Sequence, residues 1–276
     1  MNNNSFKDLS YRLFKSGNPT MFYIGVNAIV FLVLGIANLF TEGAVDSLVT
    51  QYLAFPFDIA QWPTRFYTVV TYAFLHQNIF HILFNMLWLY WMGNLFLDFL
   101  KPRQFQVVYW GGAILGALTF ALVFNLSPQL NAKGPLIGAS AAVMAIFSAI
   151  TTLIPNYSIR LILFGDVKLK YLLLVYIIID VIGTTPSSSN IGGNLAHLGG
   201  ALFGFVYIKL LQNGTDLSNF LVKKPKLKVV KNEVPKKKTS SVNQAEIDAI
   251  LDKISKSGYE NLTAKEKQTL FDASKN

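Results

Sequence analysis

At residues 196–204 the chain reads AHLGGALFG, within an apolar segment long enough to span a membrane. In a helix, His197, Gly200 and Gly204 fall at positions i, i+3 and i+7 and share one face. The imidazole then lies beside a groove of glycines, which allows a second helix to pack closely. An ionisable side chain at membrane depth costs about 2.5 kcal/mol or more, so this histidine indicates a functional site.

The composition indicates an integral membrane protein. The chain has 276 residues, 52% of them hydrophobic, and its charge is concentrated at the two ends. The net charge is +9, and the positively charged residues flank apolar segments or lie in a basic tail. The sequence has no motif that reads a nucleic-acid groove, so nucleic acid is not expected as a partner. Because the chain has no cysteine, disulfides, thiolate metal sites and a cysteine nucleophile are excluded.

Six apolar segments predict an all-α membrane protein with a six-helix bundle over residues 21–211. Their predicted ranges are Met21–Phe40, Ile79–Leu97, Gln104–Leu126, Ser140–Ile154, Tyr171–Gly183 and Leu195–Leu211. Eight Lys and Arg residues precede the first segment or join segments two to three and four to five, against two on the other side. The positive-inside rule then puts both termini in the cytoplasm, with residues 1–20 as a cytoplasmic segment that is not a cleavable signal peptide.

Two outer connections differ in composition. Residues 41–78 contain aromatic side chains such as Trp62, which settle at the level of lipid headgroups, so this connection is expected to lie on the membrane. Residues 184–193 are uncharged and rich in turn formers, a composition that favours mobility. We expect this second connection to act as a lid.

The tail is predicted to have two parts. Residues 212–242 are rich in lysine and contain proline, which indicates a basic disordered linker. In residues 243–276, apolar residues recur at helical spacing, Ser257-Gly258 breaks the run, and Thr263-Ala264-Lys265-Glu266 is a capping box, so a helical hairpin is predicted. This hairpin is either a solubilising tail or a docking module whose partner is unknown.

The fourth segment is short and begins with a candidate nucleophile. Pro155 ends it, so only Ser140–Ile154 can be helical, a rise of about 22 Å against a hydrocarbon core of about 30 Å. Ser140 is then reached through the irregular segment 134–138, and irregular backbone at membrane depth must face protein or water. Free N–H groups at a helix N-terminus favour a developing oxyanion. Alternatively, Gly138 and the nearby small residues serve helix packing alone.

Polar residues of two other segments complete this candidate site. Packing the glycine face of the sixth segment on the fourth brings His197 near Ser140, the base and nucleophile that serine activation requires. In the second segment, His81 and Asn85 share a helix face and can both donate to an oxyanion, while His76 lies near the helix start. Alternatively, an intramembrane histidine serves as a hydrogen-bonding group or proton relay. No cysteine or nearby acid completes a ligand set, so we expect no metal and no cofactor.

Three ordered motifs carry a resemblance to a known family. They are His76-x4-His81-x3-Asn85, Gly138-Ala139-Ser140 and Ala196-His197-Leu198-Gly199-Gly200-x3-Gly204. Over about residues 20–211 the chain resembles the rhomboid family of intramembrane serine proteases. The resemblance implies Ser140 as nucleophile and His197 as general base and then acid. It also implies an oxyanion hole of His81, Asn85 and the Ser140 backbone N–H, and single transmembrane segments as substrates.

The chain departs from the family pattern near the nucleophile. Many members have Gly directly after the serine and Tyr four residues after it, where the ring stacks on the base; here these are Ala141 and Met144. Methionine can contact an imidazole through its sulfur and methylene groups. Asp180 in the fifth segment suggests a Ser-His-Asp triad, but the family works as a dyad, and we expect Asp180 to reach water from its helix end.

The resemblance implies an active protease in a lipid bilayer, and a bacterial inner membrane is the expected location. Two alternatives remain open: a catalytically weak relative that binds transmembrane helices, and a small-solute transporter. Relatives of the first kind typically lack the serine or the histidine, and both are present here. A transporter predicts internal repeats or paired broken helices, and we find no convincing instance of either.

Overall fold

The computed structural model describes residues 3–127, 130, 134–161, 165–185, 187–221 and 243–274. It divides into two compact units, Met1–Lys223 and Lys224–Asn276. The helices of the first unit are α1 (Asn3–Phe14), α2 (Pro19–Phe40), α3 (Ala44–Leu53), α4 (Trp62–Arg65), α5 (Thr68–Thr71), α6 (Ile79–Phe99), α7 (Pro102–Leu126), α8 (Ser140–Leu153), α9 (Leu169–Ile182) and α10 (Ile191–Gln212).

Each of the six predicted transmembrane segments coincides with a helix. Four of these helices, α2, α6, α7 and α10, are long and apolar enough to cross a membrane. The other two, α8 and α9, have 14 residues each. Fourteen residues rise about 21 Å, less than the hydrocarbon core of about 30 Å. The helical character of the six segments is therefore confirmed, whereas the count of six crossings stays a prediction.

Three of the long helices have an asparagine at the N-cap position. Asn18 caps α2, Asn78 caps α6 and Asn190 caps α10, and each accepts a hydrogen bond from a backbone N–H of the first turn. Because of its cap, α10 begins at Ile191, one turn before the predicted start at Leu195. Part of the stretch predicted to be a lid is thus helical, since the residues that favour turns also favour helix caps.

Helix α8 is the central element of the first unit. Its residues from Ala141 to Thr151 are all buried, and it packs against α6, α7 and α10. A Cβ atom added to Gly112 of α7 would lie 2.2 Å from the Cβ of Ala145. One added to Gly116 would lie 2.6 Å from the Cβ of Ala141. The predicted packing role of the small residues on the fourth segment is confirmed, and it extends to α7.

Among its described residues, the first unit is mainly helical as predicted, and it also contains one strand hairpin. Strands β1 (Ser158–Leu161) and β2 (Gly165–Lys168) lie between α8 and α9 and are antiparallel, with Ile159 opposite Val167. Both of these residues are β-branched, which suits a pleated strand. Helix α8 ends two residues before Pro155, as predicted from the restriction that a proline puts on the preceding residue.

Short helices fill the outer connection of residues 41–78, and two side chains fix them. Trp62 Nε1 donates to the carbonyl oxygen of Pro56 at 3.3 Å. Arg65 Nη1 donates to the carbonyl oxygen of Gln51 at 2.7 Å. The first bond satisfies a backbone acceptor outside the helices, and the second satisfies a carbonyl group in the last turn of α3, where carbonyl groups have no intrahelical partner. The position of this connection on a membrane surface stays a prediction.

The second unit contains the predicted helical hairpin, α11 (Gln244–Ser257) and α12 (Ala264–Ala273). Gly258 ends α11 with a φ of +80°, a backbone conformation that favours glycine. Thr263 and Glu266 form the predicted capping box at the start of α12. Most of the predicted basic linker, residues 222–242, lies outside the described residues. The described part of it includes a short 3-10 helix at Leu217–Leu221, so disorder from residue 212 onward was the wrong expectation.

Candidate active site

Ser140 is the first residue of α8, and the irregular segment before it is fixed by backbone hydrogen bonds. Leu136 and Phe55 exchange two such bonds, of 3.0 and 2.8 Å. The N–H of Gly138 donates to the carbonyl oxygen of Tyr72 at 2.9 Å. Paired backbone groups of this kind hold an irregular segment in place. The predicted irregular approach to Ser140 is confirmed, and the first outer connection supports it.

Gly138 adopts a conformation that requires glycine. Its φ is +114°, and a Cβ atom added to it would lie 2.8 Å from Nε2 of His81. The same added atom would lie 3.7 Å from Oγ of Ser140. The missing side chain therefore makes room for the His81 ring against the backbone beside Ser140.

The N-terminus of α8 has no side-chain cap. Ala139 stands at the N-cap position and offers no side-chain acceptor. The first N–H groups of a helix have no intrahelical partner, and they carry the positive end of the helix dipole. Ser140 therefore lies beside backbone donors that can bind a negatively charged oxygen.

Helix α10 packs on α8 through its glycine face. A Cβ atom added to Gly200 would lie 2.1 Å from the carbonyl oxygen of Ala141, and one added to Gly204 would lie 2.1 Å from that of Ala145. Real Cβ atoms essentially never approach within 3.0 Å. The predicted packing of the sixth segment on the fourth is thus confirmed, and it brings His197, one turn before Gly200, to the end of α8 where Ser140 lies.

One cavity of about 1100 Å³ brings together the polar residues selected from the sequence. Its lining includes His76, His81, Asn85, Ser140, Met144 and His197. These residues come from α6, the loop before it, α8 and α10. The supporting glycines, in contrast, act through backbone packing and not through a side chain.

The polar residues of the second predicted segment are held by local hydrogen bonds. The N–H of His81 donates to the capping oxygen of Asn78 at 2.9 Å. Asn85 Nδ2 donates to the carbonyl oxygen of His81 at 2.9 Å, which leaves its second N–H for another acceptor. The rings of His76 and His81 meet edge to face with centroids 4.9 Å apart. His76 therefore supports the His81 ring from the loop.

The hydrogen bond of the His197 ring goes to Asp180 and not to Ser140. Nδ1 of His197 lies 2.9 Å from Oδ1 of Asp180. Catalytic hydrogen bonds are often long in enzymes without substrate and tighten when substrate binds. Met144, at the position where many members of the resembled family carry Tyr, is 6% exposed and lines the cavity with both Ser140 and His197.

The expectation that Asp180 reaches water is wrong. Asp180 is only 4% exposed, although it lies two residues before the end of α9. The sequence shows that Asp180 is an acid within an apolar segment, but not which face of α9 meets α10. That contact depends on how the two helices pack.

Comparison with known proteins agrees with the resemblance. A Rhomboid domain family matches residues 63–213, a range that contains every site residue predicted from the sequence. A family of unknown function (DUF6576) matches residues 236–276. The chain is 32% identical over 148 residues to RHOMBOID-like protein 12, mitochondrial, of Arabidopsis thaliana, a match covering 50% of this chain and 44% of that protein.

Two further curated relatives are similar over the same extent. Presenilin-associated rhomboid-like protein A, mitochondrial, of Danio rerio is 27% identical over 52% of this chain and 37% of its own length. Rhomboid protein 1, mitochondrial, of Saccharomyces cerevisiae is 29% identical over 51% of this chain and 40% of its own length. Each match therefore spans less than half of the relative. The names place these relatives in mitochondria, which does not fit the expected bacterial inner membrane.

Proposed function

The chain belongs to the rhomboid family, and from this premise we propose that it is an intramembrane serine protease. One observation carries the proposal. Ser140, at the uncapped N-terminus of α8, and His197, on the glycine face of α10, line the same cavity within a bundle of apolar helices. The proposed reaction is hydrolysis of a peptide bond in or near a transmembrane segment of another membrane protein.

Ser140 and His197 form the proposed nucleophile and base. As Oγ of Ser140 bonds to the scissile carbonyl carbon, Nε2 of His197 takes its proton. His197 gives this proton to the amine as the C–N bond breaks. Water then attacks the acyl-enzyme with His197 again as base, which releases the acid product and restores Ser140.

Three donors are proposed to bind the oxyanion: the Ser140 N–H, the second N–H of Asn85 and the ring of His81. The uncapped N-terminus of α8 and the close approach of His81 to Gly138 support this assignment. Donors held in place before the reaction need no reorganisation when charge develops, and removal of one costs about 3 kcal/mol. No metal or cofactor is needed for these steps.

The proposed substrates are single transmembrane segments. In a lipid bilayer, the carbonyl groups of a helical substrate are bonded within the helix. A substrate must therefore unwind locally before Ser140 can reach a carbonyl carbon. We expect small residues at the cleavage site, and residues that weaken the helix beyond it.

Membrane insertion with both termini on the side of the basic loops is the proposed topology. The excess of Lys and Arg in those loops supports it, and bacterial and mitochondrial membranes are both compatible with it. Because the chain has no cysteine, Ser10→Cys and Ser189→Cys can be labelled separately with an impermeant maleimide in sealed vesicles. The two single-cysteine proteins should react from opposite sides of the membrane. If both were labelled from the same side, the proposed topology would be wrong.

A serine-reactive fluorophosphonate tests the proposed function. The protein in detergent should be labelled and should cleave a single-span substrate, whereas Ser140→Ala should do neither. His197→Ala should be inactive to the same degree as the double variant, because nucleophile and base act as a unit. Ser148→Ala is the matched control, since Ser148 is a buried serine on the same helix. Labelling or cleavage that survives in Ser140→Ala would contradict the proposal.

The same assay separates the two alternatives. A helix-binding relative without activity would crosslink to the substrate but leave it intact and would not react with the fluorophosphonate. A transporter would move a solute into liposomes at a rate that Ser140→Ala does not change. Either result would contradict the proposed protease function and support the corresponding alternative.

A further inference from the structure

Among the described residues, the buried carboxylate of Asp180 has one hydrogen-bond partner. Its Oδ1 lies 2.9 Å from Nδ1 of His197, and its Oδ2 has no hydrogen-bond partner among the described residues. No Lys or Arg of the described part of the chain pairs with it. An ionised carboxylate can accept about four hydrogen bonds, and the His197 ring provides one of them.

Such a contact is a poor way to stabilise the fold. Removing a carboxylate from water costs several kcal/mol, and a buried pair compensates this only when further hydrogen bonds satisfy both groups. Replacement of such a pair by neutral groups of similar volume is often neutral or stabilising. The fold alone therefore gives no reason for an acid at Asp180.

The contact does determine the state of the His197 ring. A carboxylate accepts but cannot donate, so Nδ1 of His197 must carry the hydrogen. Its Nε2 then has the free lone pair that a general base needs. The ring is also held through one edge by this bond.

The contact also places a negative charge beside the group that becomes positive. When His197 takes the Ser140 proton, an imidazolium forms at a partly buried position. An uncompensated charge there is costly, and an opposite charge at hydrogen-bond distance offsets much of that cost. The carboxylate keeps its own charge throughout, while the proton passes from Ser140 Oγ to Nε2 and then to the amine leaving group.

Resting on the proposed protease function, we infer that Asp180 is a positioning residue that acts through His197, so that the site works as a Ser-His-Asp triad. It holds the ring with Nε2 unprotonated and stabilises the imidazolium in the transition state. Asp180 itself does not contact the substrate, so its whole effect is expected in the chemical step.

Asp180→Asn tests this inference, because it keeps the shape of the side chain and removes its charge. We expect kcat to fall about 10⁴-fold, as it does when the acid of a Ser-His-Asp triad loses its charge. KM should change less than twofold, and the rate of fluorophosphonate inactivation should fall in parallel with kcat. The melting temperature should stay the same or rise. A merely structural role would lower the melting temperature without this split between kcat and KM.

Asp98→Asn is the matched control. Asp98 is an exposed acid near the C-terminus of α6, whereas His81 and the site lie at the N-terminus of that helix. This substitution removes the same charge and should change neither kcat nor the melting temperature. Rates should be normalised to the number of sites that the fluorophosphonate finally labels, so that any misfolded fraction of Asp180→Asn is not counted. A normalised kcat within threefold of the unsubstituted enzyme would overturn the inference. If the unsubstituted enzyme is labelled at Ser140 and active, that result rejects the triad alone; if it is inactive, the protease proposal and the triad fall together.

Discussion

Gly200 of α10 touches α8 so closely that one added Cβ atom would lie 2.1 Å from the carbonyl oxygen of Ala141. Ala141 directly follows Ser140, and Gly200 lies one turn after His197. This backbone contact therefore sets the distance between the proposed nucleophile and its base. A carbonyl oxygen of a buried helix cannot move aside as a flexible side chain can.

We expect Gly200→Ala to lower both stability and turnover. Overpacking of this kind typically costs about 1–3 kcal/mol, and a displacement near 1 Å in an active site can reduce the rate about 100-fold. Thermal unfolding in detergent and kcat on a single-span substrate measure the two effects. Gly35→Ala is the control for stability, because an added Cβ at Gly35 meets no described atom within 4 Å and alanine favours a helix. A variant Gly200→Ala as stable and active as the native protein would show that α10 can move away freely.

Asn85→Ala should reduce kcat about 100-fold with little change in KM, because an oxyanion donor acts mainly in the transition state. Asn94→Ala is the control on the same helix. Asn94 Nδ2 donates to the carbonyl oxygen of Tyr90 four residues earlier at 2.7 Å, the same local bond that Asn85 makes. If both variants lose activity equally, the loss reflects the helix and not the oxyanion. A rise in KM with kcat unchanged would instead make Asn85 a binding residue.

The first unit is expected to keep its stability when the chain is truncated after Leu221 and to lose stability when it is truncated after Gln212. Asp216 accepts hydrogen bonds from Gln104 at 3.0 Å and from Tyr207 at 3.1 Å. Truncation after Leu221 keeps these bonds, so cleavage in detergent should persist. Truncation after Gln212 removes them and should lower the melting temperature by about 5 °C, since hydrogen bonds to a charged group contribute about 1.5–3 kcal/mol.

Asp216→Ala in the full chain is the matched variant for that truncation. It should reproduce the loss of stability, because it removes the same bonds and leaves the rest of the tail in place. Equal melting temperatures for the two truncations would mean that the Asp216 bonds add nothing. Loss of activity after truncation at Leu221 would make the tail part of the enzyme.

The helical hairpin should loosen in acid. The backbone N–H of Thr263 and the Lys253 ammonium lower the pKa of Glu266 from 4.5 to about 2. A lowered carboxyl pKa in the folded state contributes stability that is present above pH 4.5 and lost as the pH falls towards 2. Hydrogen exchange of residues 244–273 in the full chain, corrected for intrinsic rates, should therefore show weaker protection at pH 3 than at pH 6.

Glu266→Gln should lower the protection of this hairpin at pH 6 and flatten its dependence on pH. Glu260→Gln, which removes an acid at an exposed position, should leave the native profile unchanged. If Glu266→Gln kept the native profile, the contacts of Glu266 would not be the source of acid sensitivity.

Local patterns were enough to predict the parts that local forces determine. The apolar runs predicted six helices because each run can satisfy its backbone bonds internally. The capping box at Thr263 and the helix end before Pro155 follow from neighbours a few residues away. The small residues facing Gly200 and Gly204 predicted one contact between helices, because only small residues allow backbones to come so close.

The remaining features needed the tertiary structure. The first turn of α10 was missed because Asn190 favours a turn and a helix cap alike, and packing decided between them. Asp180 and His197 are 17 residues apart on separate helices, and no periodicity relates the rotation of one helix to that of another. The sequence by itself determined which helices form and which residue types can perform acyl transfer. Only the packing of α9 against α10 decided that the acid is buried against the base, because helix rotation is set by the sum of many side-chain contacts across the bundle.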